Sequence, residues 1–193
     1  MNNISFKSRI RPVGFCEFIK QTKGFEQKHY VNYPWTVKES VIANKSITRD
    51  VYDCTVCGIT DGLKVLMMHI CPTMRKNDNF SEIVEFIKNN INLNDQNLQG
   101  FLFGSVSHSA DGKSRALFTN FENFLKEHSI SYSKIRGSRD VSDVAYSSEK
   151  DEWLIRNNAR LGACTKDNNN GAYAFLRENY DEVKISDLDE VCW

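Results

Sequence analysis

Three cysteines and a histidine crowd one stretch of this chain: Cys54, Cys57, His69 and Cys71 fall within 18 residues. A thiol and an imidazole held together can carry out acyl transfer near neutral pH. The imidazole draws the proton from the thiol, and the sulfur attacks a carbonyl carbon. Its near-neutral pKa also suits the second task, protonating a departing amine. The minimal requirement is one Cys and one His that the fold brings together. Cys54 and His69 stand 15 positions apart and meet it if the chain between them doubles back. Cys57, three residues on, is expected to lie deeper in the strand.

The same residues also read as metal ligands. Cys54-x-x-Cys57 followed by His69-x-Cys71 has the residue types of a structural zinc site. A zinc knuckle, however, carries a turn with Gly or polar residues between its ligands. His69 and Cys71 instead sit in an apolar strand, where alternation puts them on one face about 7 Å apart. The leading expectation is therefore a thiol–imidazole pair with no metal and no cofactor. A zinc-stabilised or metal-free interaction domain is the non-enzymatic alternative.

The elements that must position these residues are legible from periodicity. SITRDVYDCTVCGIT (46–60) is rich in β-branched residues and reads as a strand with a kink. Asp61-Gly62 reads as a tight turn. LKVLMMHI (63–70) is an apolar run of strand length that Pro72 ends. Together they predict a β-hairpin with Cys54 and His69 on its two arms.

Downstream, Phe80, Ile83, Val84, Ile87 and Ile91 have helical spacing, with Asn79 or Ser81 as cap. LQGFLFGSVS (98–107) returns to strand character. Leu117, Phe118, Phe121, Phe124 and Leu125 mark one face of a helix over 114–128. Strands follow over 130–135, over 141–146 and from Trp153, with a turn at 149–151. A short helix is expected over 172–180. Strands with a few inserted helices predict an α+β domain of two packed, mostly antiparallel β-sheets flanked by helices. Residues 1–45 read as an N-terminal extension packing on the core, 46–157 as the core, and 158–193 as a C-terminal extension.

Composition narrows the functional classes. Hydrophobic residues make up 40% of the 193, with twelve Phe, enough for a core without disulfides. Lys+Arg and Asp+Glu balance at 25 each, so no overall field recruits nucleic acid or an acidic membrane. No apolar run approaches the roughly 20 residues needed to span a bilayer. MNNISFKSRIRPVGF lacks the apolar segment of a cleavable signal peptide. The six cysteines are unevenly spaced, which fits reduced thiols better than a disulfide framework.

The stretch C54-T-V-C-G-I-T-D61, followed by L-M-M-H69-I-C-P72, resembles the signature of the CheD family of receptor glutamine deamidases. In that family a Thr stands six residues before the Cys, as Thr48 does here. FLFGSVSHSADGKSRALFTNFENFLKEHSISYSKIRGSRDV is similar to the family's following strand, Gly-containing loop, helix (Gly112 to Arg115 at its start) and strand. VAYSSEKDEWLIR resembles its last hairpin. The likeness spans roughly residues 40–157. The cytotoxic necrotizing factor-type toxins share the Cys–His fold and belong to the same comparison. This chain departs from the pattern at Tyr52-Asp53, where the family has Gly-Ser, and at Lys64-Val65, where it has Gly-Gly. It departs again at Cys71, where the family has Leu, and at Gly137, where it has paired glycines.

The resemblance implies an α-β-β-α sandwich and a protein-glutamine deamidase. Cys54 would be the nucleophile and His69 its base, with Thr48 orienting the imidazole by side chain or backbone carbonyl. Backbone N–H groups near Cys54 would hold the oxyanion. The implied partner is a protein carrying a reactive glutamine. No nucleic acid, no membrane insertion and a monomer are expected. The altered residues and the added ends favour an effector reaching a host protein without a cleavable signal peptide. A chemoreceptor deamidase in the bacterial cytoplasm is the alternative.

Overall fold

The computed structural model describes residues 7–31, 40–51, 54–72, 80–104, 112–136 and 142–157. Its strands are β1 (Arg9–Pro12), β2 (Tyr30–Val31), β3 (Val41–Ala43), β4 (Lys45–Val51), β5 (Thr55–Thr60), β6 (Val65–Ile70), β7 (Gln99–Gly104), β8 (Ser131–Arg136), β9 (Ser142–Ser147) and β10 (Glu152–Asn157). Its helices are α1 (Phe15–Thr22), α2 (Phe80–Asn90) and α3 (Lys113–Glu127). The helix expected over 172–180, the cap at Asn79 and the C-terminal extension lie outside the described residues.

The strands form two five-stranded sheets, ordered β1-β10-β9-β4-β2 and β3-β6-β5-β7-β8. Both are mixed. Their centres are antiparallel, while β1 on β10, β2 on β4 and β7 on β8 run parallel. The last of these needs a crossover, and α3 supplies it. The N-terminal segment does more than pack on the core, since β1, β2 and β3 are edge strands within the two sheets.

Strict alternation divides the apolar residues among three interfaces. Val56, Met67, Phe101 and Phe103 of one sheet meet Val144, Tyr146 and Trp153 of the other. Cys57, Ile59, Leu66, Met68 and Leu102 face the opposite way, under Ile83, Ile87, Phe118 and Phe121 of α2 and α3. Ile47, Ala145 and Leu154 are covered by Phe18 of α1. The order is thus helix, sheet, sheet, helices. Strands β5, β6 and β7 are buried along their whole length, because both of their faces are covered. That explains why they read as near-continuous apolar runs.

Two contacts hold these layers in place. Trp153 stacks on Phe101 at 4.6 Å and lies tilted against Tyr146 at 4.6 Å. Gly58 makes the room, since any Cβ there would overlap the Trp153 ring. On the outer face, Glu122 of α3 accepts from Tyr132 Oη (2.8 Å) and Lys134 Nζ (3.0 Å) of β8, and from Lys126 Nζ (3.0 Å). Burial alone would raise the Glu122 carboxyl. The bonds from Lys134, Tyr132 and Lys126 outweigh it and hold the pKa down to about 2.

The stretch 46–60 differs from a single kinked strand. Val51 ends β4 in one sheet and Thr55 begins β5 in the other. The kink is a change of sheet, and Cys54 stands where the chain enters its new neighbours.

Candidate active site

The hairpin of β5 and β6 is set by its turn. Asp61 Oδ1 accepts from the backbone N–H of Leu63 and of Lys64, both at 2.8 Å, and Gly62 takes φ +88°. The register that follows pairs Val56 with His69 and Thr55 with Ile70. Directly paired residues share a face, and so do residues two apart. Cys54 and His69 therefore occupy the face that looks into the space between the sheets, on neighbouring strands. Such diagonal neighbours are about 7–8 Å apart at the backbone, within reach of a long or aromatic side chain. Cys54 indeed belongs to the inter-sheet apolar cluster, and Cys71 packs against it.

Thr48 arrives from the opposite sheet. β4 carries an irregularity between Thr48, paired with Val144, and Val51, paired with Ser142. Three steps on one strand match two on the other, so one extra residue is accommodated there, as in a β-bulge. The consequence is that Thr48 and Val51 both point inward, which an odd separation would otherwise forbid. Thr48 Oγ1 lies 2.7 Å from His69 Nδ1 and 3.2 Å from the Val31 carbonyl oxygen.

Donor counting assigns the protons. The Val31 carbonyl can only accept, so the Thr48 hydroxyl donates to it. Thr48 Oγ1 then accepts from His69 Nδ1–H. This places the imidazole proton on Nδ1 and leaves Nε2 with the basic lone pair.

Burial sets the charges. His69 and Cys54 are each 1% exposed. Burial pushes the His69 pKa down from 6.5 to about 4, so the ring is neutral at neutral pH. Burial also raises the Cys57 thiol far above the ordinary thiol range, making it an inert core residue. In the resting site the imidazole is neutral and lies on the same sheet face as Cys54. The chemistry open to such a pair is general-base attack, with the proton moving during the step.

Gly104 clamps the backbone beside Cys54. It ends β7, pairs with Thr55 and has φ +121°. A Cβ at this position would overlap the Cys54 carbonyl oxygen and lie 3.1 Å from Thr55 Cα. Only glycine allows β7 to come this close.

Of the residues singled out in the sequence, Thr48 and His69 are hydrogen-bonded, and Cys54 shares the face of His69. Cys57 is on the other side of the sheet, under α2 and α3. The four-ligand zinc set Cys54, Cys57, His69 and Cys71 is therefore split by alternation, and no cluster of three or more metal-ligating side chains occurs among the described residues. Sequence reasoning missed Val31 and Gly104. Gly104 carried a signal, since glycine closing an apolar strand marks close backbone approach. A backbone carbonyl such as that of Val31 carries none.

Compared with known proteins, the chain matches no family model and no curated protein. No helix among the described residues is long and apolar enough to cross a membrane.

Proposed function

We propose that this chain is a cysteine-dependent protein-glutamine deamidase. The observation that carries the proposal is the relay from the Val31 carbonyl through Thr48 to His69, which orients Nε2 as a base on the face that holds Cys54. Cys54 Sγ attacks the glutamine side-chain carbonyl carbon while His69 Nε2 takes the thiol proton. That proton passes to the departing nitrogen, and ammonia leaves a thioester. His69 then takes a proton from water as its oxygen attacks the thioester, and the Cys54 thiol is restored. The product is a glutamate, a new negative charge on the target. Tyr52-Asp53 in place of Gly-Ser favours a host protein over a chemoreceptor as that target.

A second reading is favoured by the 1% exposure of Cys54 and His69. In it the pair is core packing in a domain that binds a partner and does no chemistry. The test is ammonia release from a panel of glutamine-containing proteins, with glutamine-to-glutamate conversion read by mass spectrometry. Ammonia from the wild type, lost in Cys54→Ser and in His69→Gln, is the expected result. No conversion by the wild type, together with Cys54 alkylation no faster than that of Cys57, would favour the binding domain.

A further inference from the structure

We propose that Cys54 and Cys71 form a thiol modification site, taking a low-molecular-weight disulfide such as oxidised glutathione and closing to an internal disulfide. The β5–β6 ladder ends on the pair Thr55–Ile70, and extending its register by one step sets Cys54 opposite Cys71, just outside the two strands. Cys54 belongs to the inter-sheet cluster and Cys71 packs against it. Directly opposed residues of an antiparallel pair have Cα atoms about 4.5–5.5 Å apart, inside the roughly 4.4–6.8 Å span of disulfides. Cys57 is nearer to Cys54 in sequence but projects from the other face of the sheet.

The two thiols differ in access, and this orders the steps. Cys71 is half-buried and Cys54 is buried, so the small disulfide meets Cys71 first. The Cys71 sulfur attacks it, one glutathione leaves as a thiol carrying the Cys71 proton, and a mixed disulfide remains. Cys54 then attacks the Cys71 sulfur. The Cys54–Cys71 bond forms, the bond to glutathione breaks, and the Cys54 proton leaves with the second glutathione. Two protein thiols are oxidised and one oxidised glutathione is reduced to two thiols. The effect on activity rests on the hydrolase proposal, because the disulfide consumes its nucleophile, whereas formation of the disulfide itself does not.

The experiment treats the full chain with oxidised glutathione, blocks remaining thiols with N-ethylmaleimide and maps peptides by mass spectrometry. A Cys54–Cys71 crosslink is expected in wild type and in Cys57→Ser, reversed by dithiothreitol and absent in Cys71→Ser. Glutathione held stably on Cys71 with Cys54 still a thiol overturns the proposal, as does Cys54 linked to any other cysteine. Ammonia release before and after oxidation is read separately. An enzyme silent before oxidation counts against the hydrolase proposal, and the crosslink alone decides the disulfide.

Discussion

Thr48 Oγ1 and His69 Nδ1 lie 2.7 Å apart although they stand on different sheets, Thr48 on β4 and His69 on β6. The bond ties the sheets together at the end where Cys54 enters β5. It also chooses the tautomer, because the Thr48 hydroxyl proton is directed to the Val31 carbonyl.

Thr48→Val keeps the shape and removes the acceptor for His69 Nδ1–H. A buried donor left without its acceptor costs about 1–3 kcal/mol, which urea unfolding will measure. The turnover of glutamine is expected to fall by roughly 100-fold through misplacement of the ring. Thr48→Ser, which retains the hydroxyl, should recover most of it. Imidazole nitrogen NMR should show Nδ1–H in wild type and in Thr48→Ser, and a mixture of tautomers in Thr48→Val.

The low pKa of His69 makes stability depend on pH. The folded ring stays neutral down to about pH 4, while the unfolded chain binds a proton near the ordinary value of 6.5. Between these values the unfolded state holds more protons, so stability rises with pH across the window and falls as the solution is acidified. The full span is on the order of 3 kcal/mol. Urea unfolding of wild type and His69→Gln should diverge through this window, with the variant showing the shallower slope. Equal slopes would mean that the ring is not buried as a neutral group.

Gly104→Ala meets two obstacles, a left-handed φ and the Cys54 carbonyl. Gly62→Ala meets only the first, since a Cβ at Gly62 touches nothing within 4 Å. Backbone strain alone costs about 1–3 kcal/mol. Gly104→Ala should therefore be the more destabilised by thermal unfolding, and it alone should alter the alkylation rate of Cys54. Similar losses in both variants, with Cys54 unaffected, would remove Gly104 from the site.

Gly58→Ala drives a methyl group into Trp153. Overpacking of this kind costs about 1–3 kcal/mol. Trp153→Phe leaves space, so the double variant should be more stable than the sum of the two single losses allows. Additive losses in denaturant unfolding would show that the two residues are not in contact.

The hairpin carrying Cys54 and His69 was legible in the sequence because its causes are local. Asp61-Gly62 forms the turn, LKVLMMHI has the length of a buried strand, and Pro72 stops it. The helical spacing of Phe118, Phe121 and Leu125 likewise announced α3 and its buried face. From the sequence Cys57 is expected to lie deeper in the strand, whereas the structure puts it on the opposite face of the sheet from Cys54.

Tertiary structure alone decided the rest. No local pattern shows that the kink between Val51 and Thr55 is a change of sheet, or that an extra residue in β4 turns both Thr48 and Val51 inward. The bond from Thr48 to His69, the end of the relay at Val31 and the approach of Gly104 to Cys54 join segments distant in sequence. Side-chain alternation is a property of one strand, whereas these contacts depend on how strands from two sheets are registered and stacked. The burial that holds His69 neutral has the same origin, since it takes both sheets to exclude water from the ring.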